Sequence, residues 1–313
     1  MKHNIKITIV LIAMFIITQF IGLYVVGHYL GAENALPFNL DQPTPETDSD
    51  YYGFFSTIII AFVIAIALFF LLTKFKISFV LRAWFFIVVA IALSISLISI
   101  FSPFVQYAFL ISLIISFSLA FIKIYGRNFF IHNFTELLIY PGIAAIFVPI
   151  LNVYTVLALL LIISVYDAWA VWHSGVMQKM AKYQIDNLKI FAGFFVPYAS
   201  KNMKSKIKKW KKTLSKSELK KKKIKVSVAI LGGGDVVFPI ITAGVVMNTV
   251  SIAMPFGLKE FIGGFWPAVF VIAGATLGLV YLFFFSEKRK FYPAMPFITA
   301  GILLGMLASY LVF

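Results

Sequence analysis

Nine stretches of this chain are each apolar over about the 20 residues that a helix needs to cross the hydrocarbon core of a bilayer. They are Ile5–Leu30, Tyr51–Thr73, Phe79–Phe101, Phe104–Lys123, Phe129–Leu151, Tyr154–Val176, Lys225–Met247, Gly263–Phe285 and Phe291–Phe313. Hydrocarbon offers a backbone no water to bond, so each run must close its own hydrogen bonds as a helix. Composition agrees: 61% of residues are hydrophobic, 12% are charged and the mean hydropathy is +0.97. A soluble domain cannot hide that much apolar surface. The expected fold is an all-α polytopic membrane protein with nine transmembrane helices. The fifth run is the weakest, because Glu136 and Pro141 interrupt it. The first follows Lys2 and Lys6 as a signal peptide would. Its apolar core is longer than a signal core and no small-x-small cleavage site follows, so it is expected to stay as a membrane anchor.

Basic residues then orient the runs. Counting the flanks alternately from the N-terminus, 26 of the 27 Lys and Arg residues fall on the first side and only Lys259 on the other. The positive-inside rule makes that first side cytoplasmic. The N-terminus is therefore expected inside and the C-terminus outside. The formal net charge of +15 is thus explained by loop topology rather than by nucleic-acid binding. Three regions result. Residues 1–176 carry helices one to six, 177–224 form a cytoplasmic Lys-rich loop, and 225–313 carry helices seven to nine. The outer loop 31–50 has five acids and no base and reads as a solvated connector. Lys201–Lys225 holds 13 lysines and suits contact with anionic lipid. The apolar stretch Leu188–Tyr198 is expected to form a short interfacial helix. The chain has no cysteine, which removes disulfides, thiolate nucleophiles and thiolate metal sites.

Two acids interrupt the apolar runs at matching depth. Asp167 lies 12 residues before Lys179 in the sixth, and Asp235 lies 10 residues after Lys225 in the seventh. At about 1.5 Å per residue both fall roughly 15–18 Å from the cytoplasmic side. Consecutive antiparallel helices are usually neighbours, so the carboxyls are expected to face each other. An ionisable group in hydrocarbon is a functional hypothesis by default. Two carboxyls that share a site cannot both ionise easily, so one keeps a proton while the other acts as base. Gly232, Gly233 and Gly234 precede Asp235. In a helix interior each would cost about 1 kcal/mol against Ala, but each lets a backbone approach closely. Pro239 leaves the Asp235 carbonyl without its helical donor. Tyr166 is placed to hydrogen-bond within the site. In the ninth run, Pro293 and Pro296 resist a helix and bias the residues before them to extended geometry. The amides of Ala294 and Met295 are then expected to be available to an unwound substrate.

Tyr-Asp in one helix, Gly-x-Gly-Asp in the next and a Pro-Ala-Leu-like tripeptide opening the last resemble the presenilin and signal peptide peptidase family of intramembrane aspartyl proteases. The nine-run layout covers the whole chain and the motifs about eleven residues. The resemblance implies that Asp167 and Asp235 are the catalytic pair. It puts Gly232 and Gly234 at the fixed glycines, Gly233 at the variable position, and Pro293, Ala294 and Met295 at the tripeptide, with Met in place of Leu. Transmembrane segments of single-pass proteins or signal peptides are the implied substrates, with no cofactor or metal. The absence of a large outer domain favours a stand-alone enzyme of the signal peptide peptidase or archaeal type in a prokaryotic cell membrane, with no obligate protein partner.

Other chemistries fit less well. There is no HExxH for a zinc protease, and no Gly-x-Ser for a rhomboid-type serine site. Prepilin-type peptidases share Gly-x-Gly-Asp but usually carry Lys two residues on, where this chain has Val237. A transporter with an Asp pair should show inverted repeats with matched broken helices, and none is seen. His3, His28, His132 and His173 are scattered, with His173 expected at the interface. Glu136 is expected to reach towards Arg127 or water. The pairs Gly27/Gly31, Gly274/Gly278 and Gly301/Gly305 read as close helix contacts.

Overall fold

The computed structural model describes residues 5–30, 36–40, 45–75, 78–126, 128–174, 192–198, 227–253, 258–286 and 292–312. The order is α1 (Ile5–Leu30), α2 (Asp48–Lys74), α3 (Ser78–Phe101), α4 (Ala108–Tyr125), α5 (Phe129–Phe147), α6 (Val153–Trp169), β1 (Gly193–Tyr198), β2 (Ser227–Gly232), α7 (Gly233–Ala253), α8 (Leu258–Phe285) and α9 (Met295–Val312). Among the described residues, nine helices are long and apolar enough to cross a membrane.

Helices this apolar on every side gain little from hiding one face, because lipid is as apolar as the core. Close approach and interhelical hydrogen bonds must choose the contacts. The glycines show the first effect. A Cβ on Gly274 or Gly301 would run into the other's backbone carbonyl, and one on Gly278 or Gly305 would strike the backbone of Phe297 or Phe270. α8 and α9 thus touch backbone to backbone, as the sequence suggests. Gly31 lies outside the described residues. Gly142 of α5 meets the Ala92 carbonyl of α3 in the same way. Buried hydroxyls supply the second effect. Ser94 of α3 bonds Ser116 of α4, and Tyr29 Oη of α1 donates to the Ile95 carbonyl, 2.8 Å away.

α1 runs through the centre, packed on α3, α5, α7 and α8, with Leu11 and Phe15 fully buried. α5 continues through Pro141. The backbone disturbance there is met from α3, where Ser96 Oγ donates to the Leu138 carbonyl. α6 starts in a capping box between Asn152 and Thr155. Its last α-turn passes into a π-helical turn at Ala170–Ser174, where His173 is exposed.

Two expectations fail between the sixth and seventh runs. Residues 193–198, expected as the end of an interfacial helix, form a strand. The seventh run does not enter as a helix from Lys225, because 227–232 form the antiparallel partner strand, from Gly193 opposite Gly232 to Tyr198 opposite Ser227. The physical reason is composition: Phe194, Phe195, Val196 and Tyr198 in the first segment and Val228 and Ile230 in the second favour strand, and glycines stand where the first begins and the second ends. Most of 177–224, including Lys201–Lys223, lies outside the described residues, as do Lys225 and Phe313.

Candidate active site

Asp167 lies in the last turn of α6 and is buried. Its Oδ2 accepts the N–H of Met295 at 3.1 Å, and the Ala294 amide faces the same carboxylate. Met295 is the first residue of α9. The first N–H groups of a helix have no partner in their own helix, and a negative group there also gains from the helix dipole. Asp167 therefore caps α9 from outside. One turn back, the buried hydroxyls of Ser164 and Thr299 are 2.8 Å apart. These two joints fix α6 against the start of α9.

That geometry corrects the expectation for the proline segment. Tyr292 and Pro293 are irregular, but the helix is established by Met295, and the Ala294 carbonyl accepts Phe297 N and Ile298 N. Pro296 sits in the first turn, where a missing N–H costs nothing. The Ala294 and Met295 amides are turned to Asp167 and are not free for a substrate strand.

Asp235 is the third residue of α7. The glycines before it are not inside a helix: Gly232 ends β2, and Gly233 and Gly234 open α7. The Asp235 carboxylate folds back towards the Gly232 amide, and a Cβ on Gly232 would stand 3.0 Å from Oδ2. A Cβ on Gly233 would meet Tyr140 Oη of α5 at 2.8 Å. Gly234 has only ordinary contact with Phe238. Asp167 and Asp235 lie within electrostatic reach of each other, so the expected convergence is present. Both stand at helix ends rather than mid-helix.

α5 holds the strand pair. Asn133 Oδ1 accepts Phe195 N at 3.1 Å, and Nδ2 donates to Phe195 O at 3.0 Å. His132 Nε2 bonds the Gly193 carbonyl at 2.8 Å. Phe194 packs edge-on to Tyr140. With both Phe195 backbone groups turned to Asn133, Phe195 and its opposite, Ile230, form a non-hydrogen-bonded pair, so the Ile230 N–H and C=O point outward on the far edge. That edge leads straight into Gly232–Asp235. Beneath the strands, Glu136 pairs with Lys123 of α4 at 2.6 Å and approaches His132 at 3.5 Å. Both carboxylate and ammonium are buried. Glu136 is therefore part of an interhelical pair with Lys123, not a group reaching to water; Arg127 lies outside the described residues.

One cavity touches Asp235, and a larger one lies against the residues beside the two aspartates, Tyr166 and Val237. The first, of about 90 Å³, is lined by Ile230, Leu231, Asp235, Leu282, Tyr292 and Ala294, among others. It is large enough for water. The other, of about 480 Å³, is apolar and lies between α2, α5, α6 and α7, with Phe62, Ile162, Tyr166, Val237 and Phe238 in its wall. Tyr166 was expected to hydrogen-bond in the site; instead its ring stands edge-on to Phe62 at 6.1 Å and lines this groove.

The sequence matches the family model described as signal-peptide peptidase, presenilin aspartyl protease, over residues 8–313. This chain belongs to that family. It is an intramembrane aspartyl protease and a multi-pass integral membrane protein. Two solved structures of a presenilin family intramembrane aspartate protease share the fold. One, in space group C222, has a TM-score of 0.59 at 16% identity, covering 98% of this chain and 99% of the other. The second, in space group P2, has a TM-score of 0.58 at 17% identity, covering 97% of each chain. A comparison with functionally curated proteins finds no match. Within the protease, the residues that sequence reasoning missed are Asn133, Tyr140, Ser164, Thr299 and Gln19. Each is an ordinary polar residue in an apolar helix, and only its neighbours distinguish it.

Proposed function

We propose that Asp167 and Asp235 are the catalytic pair, and that the substrate is a transmembrane segment that unwinds along β2. The observation that carries this reading is the approach of two carboxylates from different helices, buried Asp167 and half-buried Asp235, with a water-sized cavity against Asp235. A water between them gives a proton to the ionised carboxylate as its oxygen bonds the scissile carbonyl carbon. The protonated carboxyl passes its proton to the carbonyl oxygen. The tetrahedral intermediate then collapses: the nitrogen takes the proton that came from water and leaves as the C–N bond breaks, and one hydroxyl of the intermediate returns its proton to the other carboxylate as the new carbonyl forms. The dyad titrates as a pair.

The apolar groove has a lining suited to the side chains on one face of a substrate helix. The free edge of β2 suits the next step, since unwound backbone in a bilayer needs partners and strand addition supplies them. Gly232, Gly233, Gly234 and the Pro293–Pro296 segment then act as supports that place the carboxylates. The test is cleavage of a tagged single-pass peptide in detergent. Asp167→Asn and Asp235→Asn should each abolish it with melting temperature unchanged; cleavage retained by either variant overturns the pair. The proposed orientation, with 201–225 cytoplasmic and 31–50 outside, is tested by impermeant labelling of cysteines introduced at 45 and 210 in intact cells. Labelling at 210 with protection at 45 would invert it.

A further inference from the structure

Among the described residues, three buried side-chain oxygens make no hydrogen bond of ordinary length: Gln19 Oε1, Ser112 Oγ and Tyr140 Oη, the last facing the Glu136 carboxylate. Buried polar groups are almost always paired, so each exception asks for a reason. Two of the three converge on one place, the turn that carries Asp235. Tyr140 Oη stands over Gly233. Gln19 Nε2 donates to the Val236 carbonyl at 3.0 Å. Gly233 and Val236 are three apart and share one face of the first turn of α7. Gln19 comes from α1 and Tyr140 from α5, and these two helices pack on each other and on α7.

The Gln19 contact repeats a device seen elsewhere in the chain. Pro141 in α5 disturbs the ladder, and the carbonyl three residues before it, Leu138, accepts Ser96 from α3. Pro239 disturbs α7, and the carbonyl three residues before it, Val236, accepts Gln19 from α1. A neighbouring helix re-satisfies the broken backbone each time. At Pro141 a hydroxyl suffices. At Pro239 an amide is used, and it leaves a second polar atom, Oε1, unspent beside the catalytic turn. Tyr140 poses the same question, because Phe would pack identically on Phe194 and Gly233. Glu136 lies one turn below, with Oε1 on Lys123 and its carboxylate also facing Tyr140 Oη, and Asp235 is within electrostatic reach of Oη.

We propose that Gln19 and Tyr140 are positioning residues for the protease: they brace the back of the turn that carries Asp235 and set the aim of its carboxylate. In the resting enzyme the brace is half engaged. Substrate pairing along β2 moves the adjoining Gly232–Gly234 turn, and the unspent Gln19 Oε1, with a Tyr140 Oη that turns from Glu136, takes up the backbone groups that the move exposes. Their contribution therefore falls on turnover rather than on folding or substrate affinity.

This inference rests on Asp235 being one of the catalytic pair, so Asp235→Asn is run beside it. The variants are Tyr140→Phe, which removes one oxygen, and Gln19→Met, which keeps length and removes both polar atoms. Turnover and KM on the tagged peptide are measured with melting temperature. The expected result is a fall in kcat of roughly ten- to a hundredfold, the size of effect that small misplacement produces. KM and the melting temperature of Tyr140→Phe should hold. Should Gln19→Met fail to fold, Tyr140→Phe decides alone. Wild-type kcat in Tyr140→Phe overturns the brace, as does a rise in KM at constant kcat, which would make the hydroxyl a substrate contact. A lowered melting temperature with unchanged turnover would make it a structural partner of Glu136. Cleavage by Asp235→Asn would instead remove the catalytic assignment beneath it.

Discussion

α5 and α2 flank the same apolar groove and are attached in opposite ways. α5 is held by a buried ion pair, by a backbone contact at Gly142 and by four side-chain bonds to neighbouring backbone or strands. α2 has none of its apolar window buried and makes only sparse contacts, to α3, α6 and the turn at Val148–Ile150. A wall with few buried contacts opens at low free energy, and a wall rich in them does not. The aspartates stand on α6 and α7 outside the groove's lining, with Asp167 joined to α9 through Met295. On the function proposed above, a substrate helix enters past the loose wall, α2. The fold thus separates precision from access.

The comparison breaks most severely at the ion pair. Lys123→Met leaves Glu136 charged and buried beside His132 alone, and removing one partner of a buried pair typically costs about 3–5 kcal/mol. Unfolding in detergent should show that loss. The double variant Lys123→Met/Glu136→Leu should recover most of it, because two apolar groups need no partner. If the double variant is as unstable as the single ones combined, the pair is not what fixes α5.

A smaller effect is expected in the groove itself. Ile162 of α6 lines the groove and is half exposed. Ile162→Trp fills part of the groove without touching either carboxylate or any joint between helices. It should raise KM for a transmembrane peptide about tenfold, a loss of about 1.4 kcal/mol in binding. Melting temperature should stay level. A change in kcat with KM constant would show that the groove belongs to the fixed wall after all.

Much of this division was legible in the sequence, for a physical reason. Hydrocarbon admits only helices of a set length, so nine long apolar runs leave little choice. Acids are so costly there that Asp167 and Asp235 announce themselves. The hairpin was hidden because GFFVPY and SVAILG are as apolar as the runs beside them, and its two strands pair across more than thirty intervening residues (Gly193 with Gly232). Glu136 was visible as an oddity, but its partner on the preceding helix could not be chosen over other bases without the packing. The proline segment was read as extended because each proline biases the residue before it away from helix, although the first turn itself accepts proline. Asp167 reverses that by capping the first turn at Met295.

The smallest effect belongs to Met295, the position where this chain departs from the family tripeptide. Its side chain is buried, which would ordinarily make a substitution felt. Yet the bond that joins it to the site runs from its backbone N–H to Asp167 Oδ2, and a backbone donor is indifferent to the side chain it carries. Leu has nearly the volume of Met, and such swaps usually cost less than about 1.5 kcal/mol. Met295→Leu should therefore keep kcat within about twofold, a difference under about 0.5 kcal/mol in the barrier. Met295→Pro removes the amide hydrogen together with much of the buried side chain, and fixes φ at a value a first helical turn accepts. It should retain the helix and lose most of the turnover. Equal activity in the two variants, measured on the same peptide, would show that Asp167 does not depend on the cap and that the fixed wall is held by Ser164 and Thr299 alone.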